Sequence, residues 1–188
     1  MLKLNKMRYT PLSAAFYTKN RANFAAAMAP KSLAVFNSND TYPISADSTL
    51  PFAQHRDLFY LTGVDQEETI LILFPNAVEA KHREVLFVRE TNPHIAVWEG
   101  PKLTKTQAQA LTGIQTVYWV HEFEKVFFEL AAQCDCLYFN KNEHYRAAVE
   151  TETREDRFIA WAKKQYPAHQ VGKSNPILQR LRAVKDPE

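Results

Sequence analysis

The segment Thr69–Phe74 (TILILF) is apolar at nearly every position, without the alternation of a strand that has one wet face. A strand of this kind is covered on both sides, which places it at the centre of a sheet packed between helices. The rest of the chain supplies that setting. Ser13 predicts an N-cap, and Tyr17, Phe24 and Met28 then fall on one helical face before Pro30 stops the run. Ser32–Phe36 (SLAVF) reads as a buried strand followed by the turn-forming Asn37–Thr41. Leu58–Thr62 and Thr69–Phe74 read as the two strands of an antiparallel hairpin that reverses through Gly63 and Asp65–Glu68. Glu84–Arg89 (EVLFVR), Thr116–Val120 and Cys136–Phe139 read as further strands, with Cys136–Phe139 the last. Among them lie a long surface loop over Glu90–Lys102 with room for one helical turn, a Thr104-capped helix ending near Gly113, and an amphipathic helix over His121–Gln133. The chain then turns helical, from about Glu143 to Lys164 and again over Pro176–Val184. The expected fold class is α/β: one layer structure, a mixed β-sheet with helices on both faces.

Composition narrows the function classes. The four glycines, Gly63, Gly100, Gly113 and Gly172, lie far apart, so neither a P-loop nor a dinucleotide fingerprint is present. A net charge of +2, from 23 basic and 21 acidic residues, gives no strong field for nucleic acid or an anionic membrane, and neither is expected as a partner. Cys134 and Cys136 form one C-x-C pair, which cannot supply four thiolates to a structural zinc, and they read as buried thiols. The N-terminus lacks an apolar signal core, and no run approaches the ~18 apolar residues of a membrane helix, so a cytoplasmic protein is expected.

Chemistry-bearing motifs are scarce. No serine has a glycine two residues to either side, as a nucleophile elbow requires. None of the six histidines pairs with another at i, i+4, and His121-Glu-Phe-Glu-Lys125 has lysine where a second zinc ligand would stand. No metal ligand and no catalytic residue is therefore predicted. Two features remain. His55-Arg56-Asp57 reads as a solvated strand entrance. Trp98, in Val97-Trp98-Glu99-Gly100, is either an anchor folding its loop onto the domain or an exposed aromatic serving a partner or ligand, and the residues leave both open.

One long stretch carries a family resemblance. Ala46–Val64 (ADSTLPFAQHRDLFYLTGV) resembles the signature of the N-terminal domain of Xaa-Pro aminopeptidases, the aminopeptidase P family. Asp47, Pro51, Phe52, Gln54, Asp57, Phe59, Tyr60, Leu61, Thr62 and Gly63 keep to the pattern. Arg21, Phe24 and Met28 resemble the family's opening helix, EVLFVR a following strand, VWEG its tryptophan loop, and PILQRLRAVKDPE the segment that hands the chain to a catalytic domain. Leu50, Ala53, Arg56 and Ala96 depart from it.

The resemblance implies a ribonuclease-H-like fold over residues 1–175, then a linker over 176–188 leading to a catalytic domain that this chain does not carry. It implies a non-catalytic role in oligomer assembly, as a homodimer or homotetramer, and in substrate access. The enzyme implied is a metallopeptidase that removes the residue before proline, using two divalent metals, commonly manganese, held in the catalytic domain. No cofactor is implied for this segment, which alone would be inactive. The implied partners are that catalytic domain and a proline-containing peptide, and Trp98 matches a family residue that reaches a neighbouring subunit's substrate pocket. The alternative is a stand-alone scaffold or binding module, because related N-terminal domains occur without peptidase activity.

Overall fold

The computed structural model describes residues 12–142, 144 and 151–184. Along the chain run α1 (Ala14–Ala26), β1 (Ser32–Asn37), the short pair β2 (Pro43–Ser45) and β3 (Ser48–Thr49), α2 (Arg56–Thr62), β4 (Ile70–Leu73) and β5 (Glu84–Val88). There follow α3 (Pro93–Glu99), α4 (Lys105–Thr112), β6 (Thr116–Trp119), α5 (Phe123–Ala131), β7 (Cys136–Phe139), α6 (Arg154–Gln165), β8 (Gln170–Lys173) and α7 (Ser174–Ala183). Six strands form one mixed sheet in the order β6-β5-β4-β1-β7-β8. Strands β1, β4 and β5 form an antiparallel meander, while β7 and β8 run parallel to β1, which is the expected ribonuclease-H-like arrangement. β6 extends the other edge, parallel to β5.

Both faces of the sheet are covered, as the unbroken apolar run in β4 requires. Successive strand residues point to opposite faces. Ala34, Phe36, Leu71 and Leu73 meet α1, α2, α4 and α7, while Leu33, Val35, Ile70 and Ile72 meet α5 and α6. The second face is densely aromatic: Phe127 stacks with Phe123 and meets Phe158, Trp161 and Tyr166 edge-on or tilted. Residues 176–183 are helical and docked on the first face through Ile177 and Leu178.

The hairpin expected from Leu58–Thr62 does not form. That segment is the helix α2, and β4 pairs instead with β1 and β5. Its caps and two contacts from α1 outweigh the strand preference of its aromatics. His55 caps the helix through Nδ1, which accepts from the Asp57 amide, and Gly63 ends it in the left-handed region at φ 70°. Two carbonyls of the last turn, which an isolated short helix would leave unmet, accept from α1: Asn20 Nδ2 donates to Tyr60 O at 2.9 Å and Arg21 to Leu61 O at 3.0 Å. A side chain at Gly63 would also collide with the Tyr17 ring, since a Cβ there would lie 2.3 Å from it.

Other boundaries moved less. Pro93–Glu99 is two turns of helix rather than one, Asn92 accepting from the Ile95 amide at its start. The helix expected from His121 begins at Phe123, after a single 3-10 turn. Within the expected helix of Glu143–Lys164, residue 143 and residues 145–150 lie outside the described residues, and α6 starts at Arg154. Cys136–Phe139 is not the last strand, because the polar, mostly exposed Gln170–Lys173 adds β8 at the edge. Gly172 there leaves room for the Tyr138 ring, 2.6 Å from where a Cβ would stand.

Candidate functional site

β1 and β7 lie parallel and adjacent, and the chain leaves them toward opposite faces: after β1 it goes to α2, after β7 to α6. Strand ends that part in this way open a crevice at the carboxyl edge of a sheet. Here it is a pocket of about 650 Å³ with Asn37 and Asn140 at its base, Arg154 and Glu155 of α6 on one side, and Pro51 and Phe52 on the other.

The carboxylates of this pocket are bound by neighbouring groups of the chain. Glu155, 8% exposed, accepts from Asn37 Nδ2 at 2.9 Å and from the Asn140 amide at 3.0 Å, so the start of α6 is fastened to both strand ends. Burial pushes its carboxyl above the ordinary range, against the pull of those two donors. Asp40 accepts from the Arg154 amide at 2.8 Å and from Arg157 at 2.7 Å. Asp156 is held by Lys141 and by Thr153, each at 2.8 Å.

His55 continues the network. Its Nδ1 receives both the Asp57 amide and Asn140 Nδ2, at 3.3 and 3.2 Å, so the neutral ring carries its hydrogen on Nε2. Burial, with the Arg182 guanidinium adding to it, brings its pKa down to about 4. Asp57, 5% exposed, pairs with Arg182 in the last turn of α7. His55-Arg56-Asp57 is therefore not a solvated strand entrance: His55 and Asp57 tie α2 to β7 and α7, and only Arg56 faces solvent.

This geometry sets limits on the chemistry. Among the described residues, the pocket carboxylates Asp40, Glu155 and Asp156 each already accept from at least two donors of the chain, a set that does not fit a pair of divalent metals. Cys134 and Cys136 are free and buried; burial, with Cys136 nearby, pushes the Cys134 thiol up to about 12, and burial raises Cys136 as well. Neither is primed as a thiolate nucleophile. His121 lies away from the pocket, 3.5 Å from Glu90.

Trp98 is elsewhere too. α3 buries none of its residues, and Trp98 is 81% exposed beside Val97 at 75%. The helix is nonetheless held, by its Asn92 cap and by Arg89, which pairs with Glu99 at 2.7 Å. Of the two readings of Trp98, the anchor folding its loop inward is overturned by this exposure.

The pocket residues of α6 escaped the sequence reading, although one signal was present. SLAVFN and CLYFN are apolar runs that both end in asparagine, a polar group placed where two adjacent buried strands finish.

Comparison with known proteins adds the following. Residues 17–138 match the family model described as aminopeptidase P, N-terminal domain. Xaa-Pro aminopeptidase 3 of Homo sapiens is 28% identical over 152 residues, covering 80% of this chain and 29% of that protein. Xaa-Pro aminopeptidase of Escherichia coli strain K12 is 24% identical over 174 residues, covering 92% and 39%. The solved structure of a candidate aminopeptidase P from Bacillus anthracis superposes with a TM-score of 0.80 at 25% identity, over 93% of this chain and 41% of that one. The chain thus spans about a third of the length of the curated relatives it matches. Among the described residues no helix is long and apolar enough to cross a membrane.

Proposed function

The chain belongs to the aminopeptidase P N-terminal domain family, and from that premise we propose that it is the non-catalytic domain of a metal-dependent Xaa-Pro aminopeptidase. In this reading the reaction, removal of an N-terminal residue before proline, takes place on a further part of the protein. This domain supports assembly and borders the path of the peptide.

The observation that carries the reading is α3. A tryptophan and a valine held outward by a capped, ion-paired helix leave apolar area in water, about 25 cal/mol for each Å² that a partner would cover. A proline ring is rigid and apolar and packs well on a flat aromatic face. Trp98 would supply that face to the peptide site of a neighbouring protomer. The pocket supports the same division of labour, since its carboxylates and His55 are occupied in joining elements of this domain.

The test compares this chain with the complete protein on an X-Pro peptide with manganese. Cleavage by the complete protein and none by this chain is the expected result. Cleavage by this chain alone would overturn the reading. A complete protein without activity would favour a stand-alone scaffold.

A further inference from the structure

At the end of the sheet opposite the pocket, the connection from β4 to β5 forms a 3-10 turn, Ala80–His82, with Glu79 before it. His82 is buried, 6% exposed, yet no hydrogen bond or ion pair reaches its ring from any described residue. Glu79 and Glu129, the latter on the outer side of α5, offer carboxylate oxygens beside that ring. One ligand atom from each of the three lies within 4.8 Å of the others. Ligand atoms gathered within that limit can come to bond one ion, at about 2.0–2.2 Å each, after small side-chain adjustments.

The frame around these groups is fixed. The His82 amide donates to Glu79 O at 2.9 Å, and Thr116 Oγ1 donates to Lys81 O at 2.6 Å, tying the turn to β6. Glu129 stands on a helix whose Phe127 and Leu130 are fully buried. Lys81 occupies part of the space electrostatically, with its ammonium 2.8 Å from Glu79.

We propose that Glu79, His82 and Glu129 form a divalent transition-metal site, with zinc as the natural occupant and water in the remaining position. One imidazole and two carboxylates form a ligand set that zinc accepts at an open tetrahedral site. The two glutamates are exposed and turn inward by rotamer changes, and Lys81 is displaced as the ion enters. The bound ion joins α5 to the β4–β5 turn and stabilises the fold by mass action. This site is independent of the peptidase reading and lies on a different edge of the domain.

The test is calorimetric titration of zinc into the chelator-stripped chain, alongside Glu79→Gln, Glu129→Gln and Lys81→Met. All three positions are exposed, so the fold is retained, which circular dichroism checks. The expected result is one zinc per chain, affinity lower by about tenfold or more in each glutamine variant, and tighter binding in Lys81→Met, where the competing ammonium is gone. Side-chain nitrogen shifts of His82 should move on titration. Equal affinity in the wild type and both glutamine variants, or no one-to-one binding, overturns the site.

Discussion

The pocket at the ends of β1 and β7 and the helix α3 are two surface regions organised in opposite ways. In the pocket, polar side chains are turned toward one another: Glu155 to Asn37 and the Asn140 amide, His55 to Asn140, Asp40 to Arg157. On α3, Trp98 and Val97 are turned away from the molecule and lie largely in water. A crevice rich in charged groups invites a catalytic reading and an exposed tryptophan invites neglect. Their partners reverse that order: the buried carboxylate and imidazole of the first region are met by their own chain, whereas among the described residues Trp98 and Val97 are left largely in water.

Damage to the pocket is therefore read in stability. The largest effect is expected for Glu155→Ala, which strands the buried Asn37 amide group and the Asn140 N–H, at about 4 kcal/mol in denaturant unfolding for two unmet donors. A loss below about 1 kcal/mol would mean that the pocket is loosely built. His55 gives a pH-dependent version. Its folded pKa of about 4 lies below the ordinary ~6.5, so between these values the unfolded chain takes up a proton that the folded chain does not. Stability through this group is present above about pH 6.5 and lost as pH falls toward 4, by at most about 3 kcal/mol.

His55→Asn keeps an acceptor for the Asp57 amide and should flatten this window. Glu155 acts in the opposite sense, its raised folded pKa favouring lower pH, but it is common to both proteins and cancels in their difference. Identical pH profiles would contradict the assignment. Asp57→Asn should cost about 2 kcal/mol, less than a fully buried pair because Arg182 is partly exposed. Trp98→Ala should change the stability of this chain by no more than about 0.5 kcal/mol; a larger loss would place Trp98 among groups that hold the domain together.

How much of this was written in the sequence depends on whether a signal was local. β4 was readable because an unbroken apolar run admits few environments, and α4 because Thr104 and Gly113 mark both ends. α2 was misread because Leu58–Thr62 is aromatic and short, and its helical state depends on Asn20 and Arg21, some forty residues earlier. β8 has no apolar pattern, being an exposed edge that exists because β7 is there to pair with. The pocket joins Asn37, His55, Asn140 and Glu155 from four separate segments, so only its strand-end asparagines left a trace. Trp98 stood out as a bulky aromatic among loop residues, whereas its outward direction required the structure.

The central claim is that α3 acts outside this domain, and kcat/KM of the complete protein on an X-Pro peptide, with and without Trp98→Ala, tests it most directly. The account predicts a fall of about tenfold or more with an unchanged thermal midpoint, as for a contact residue remote from the core. An unchanged kcat/KM would contradict it.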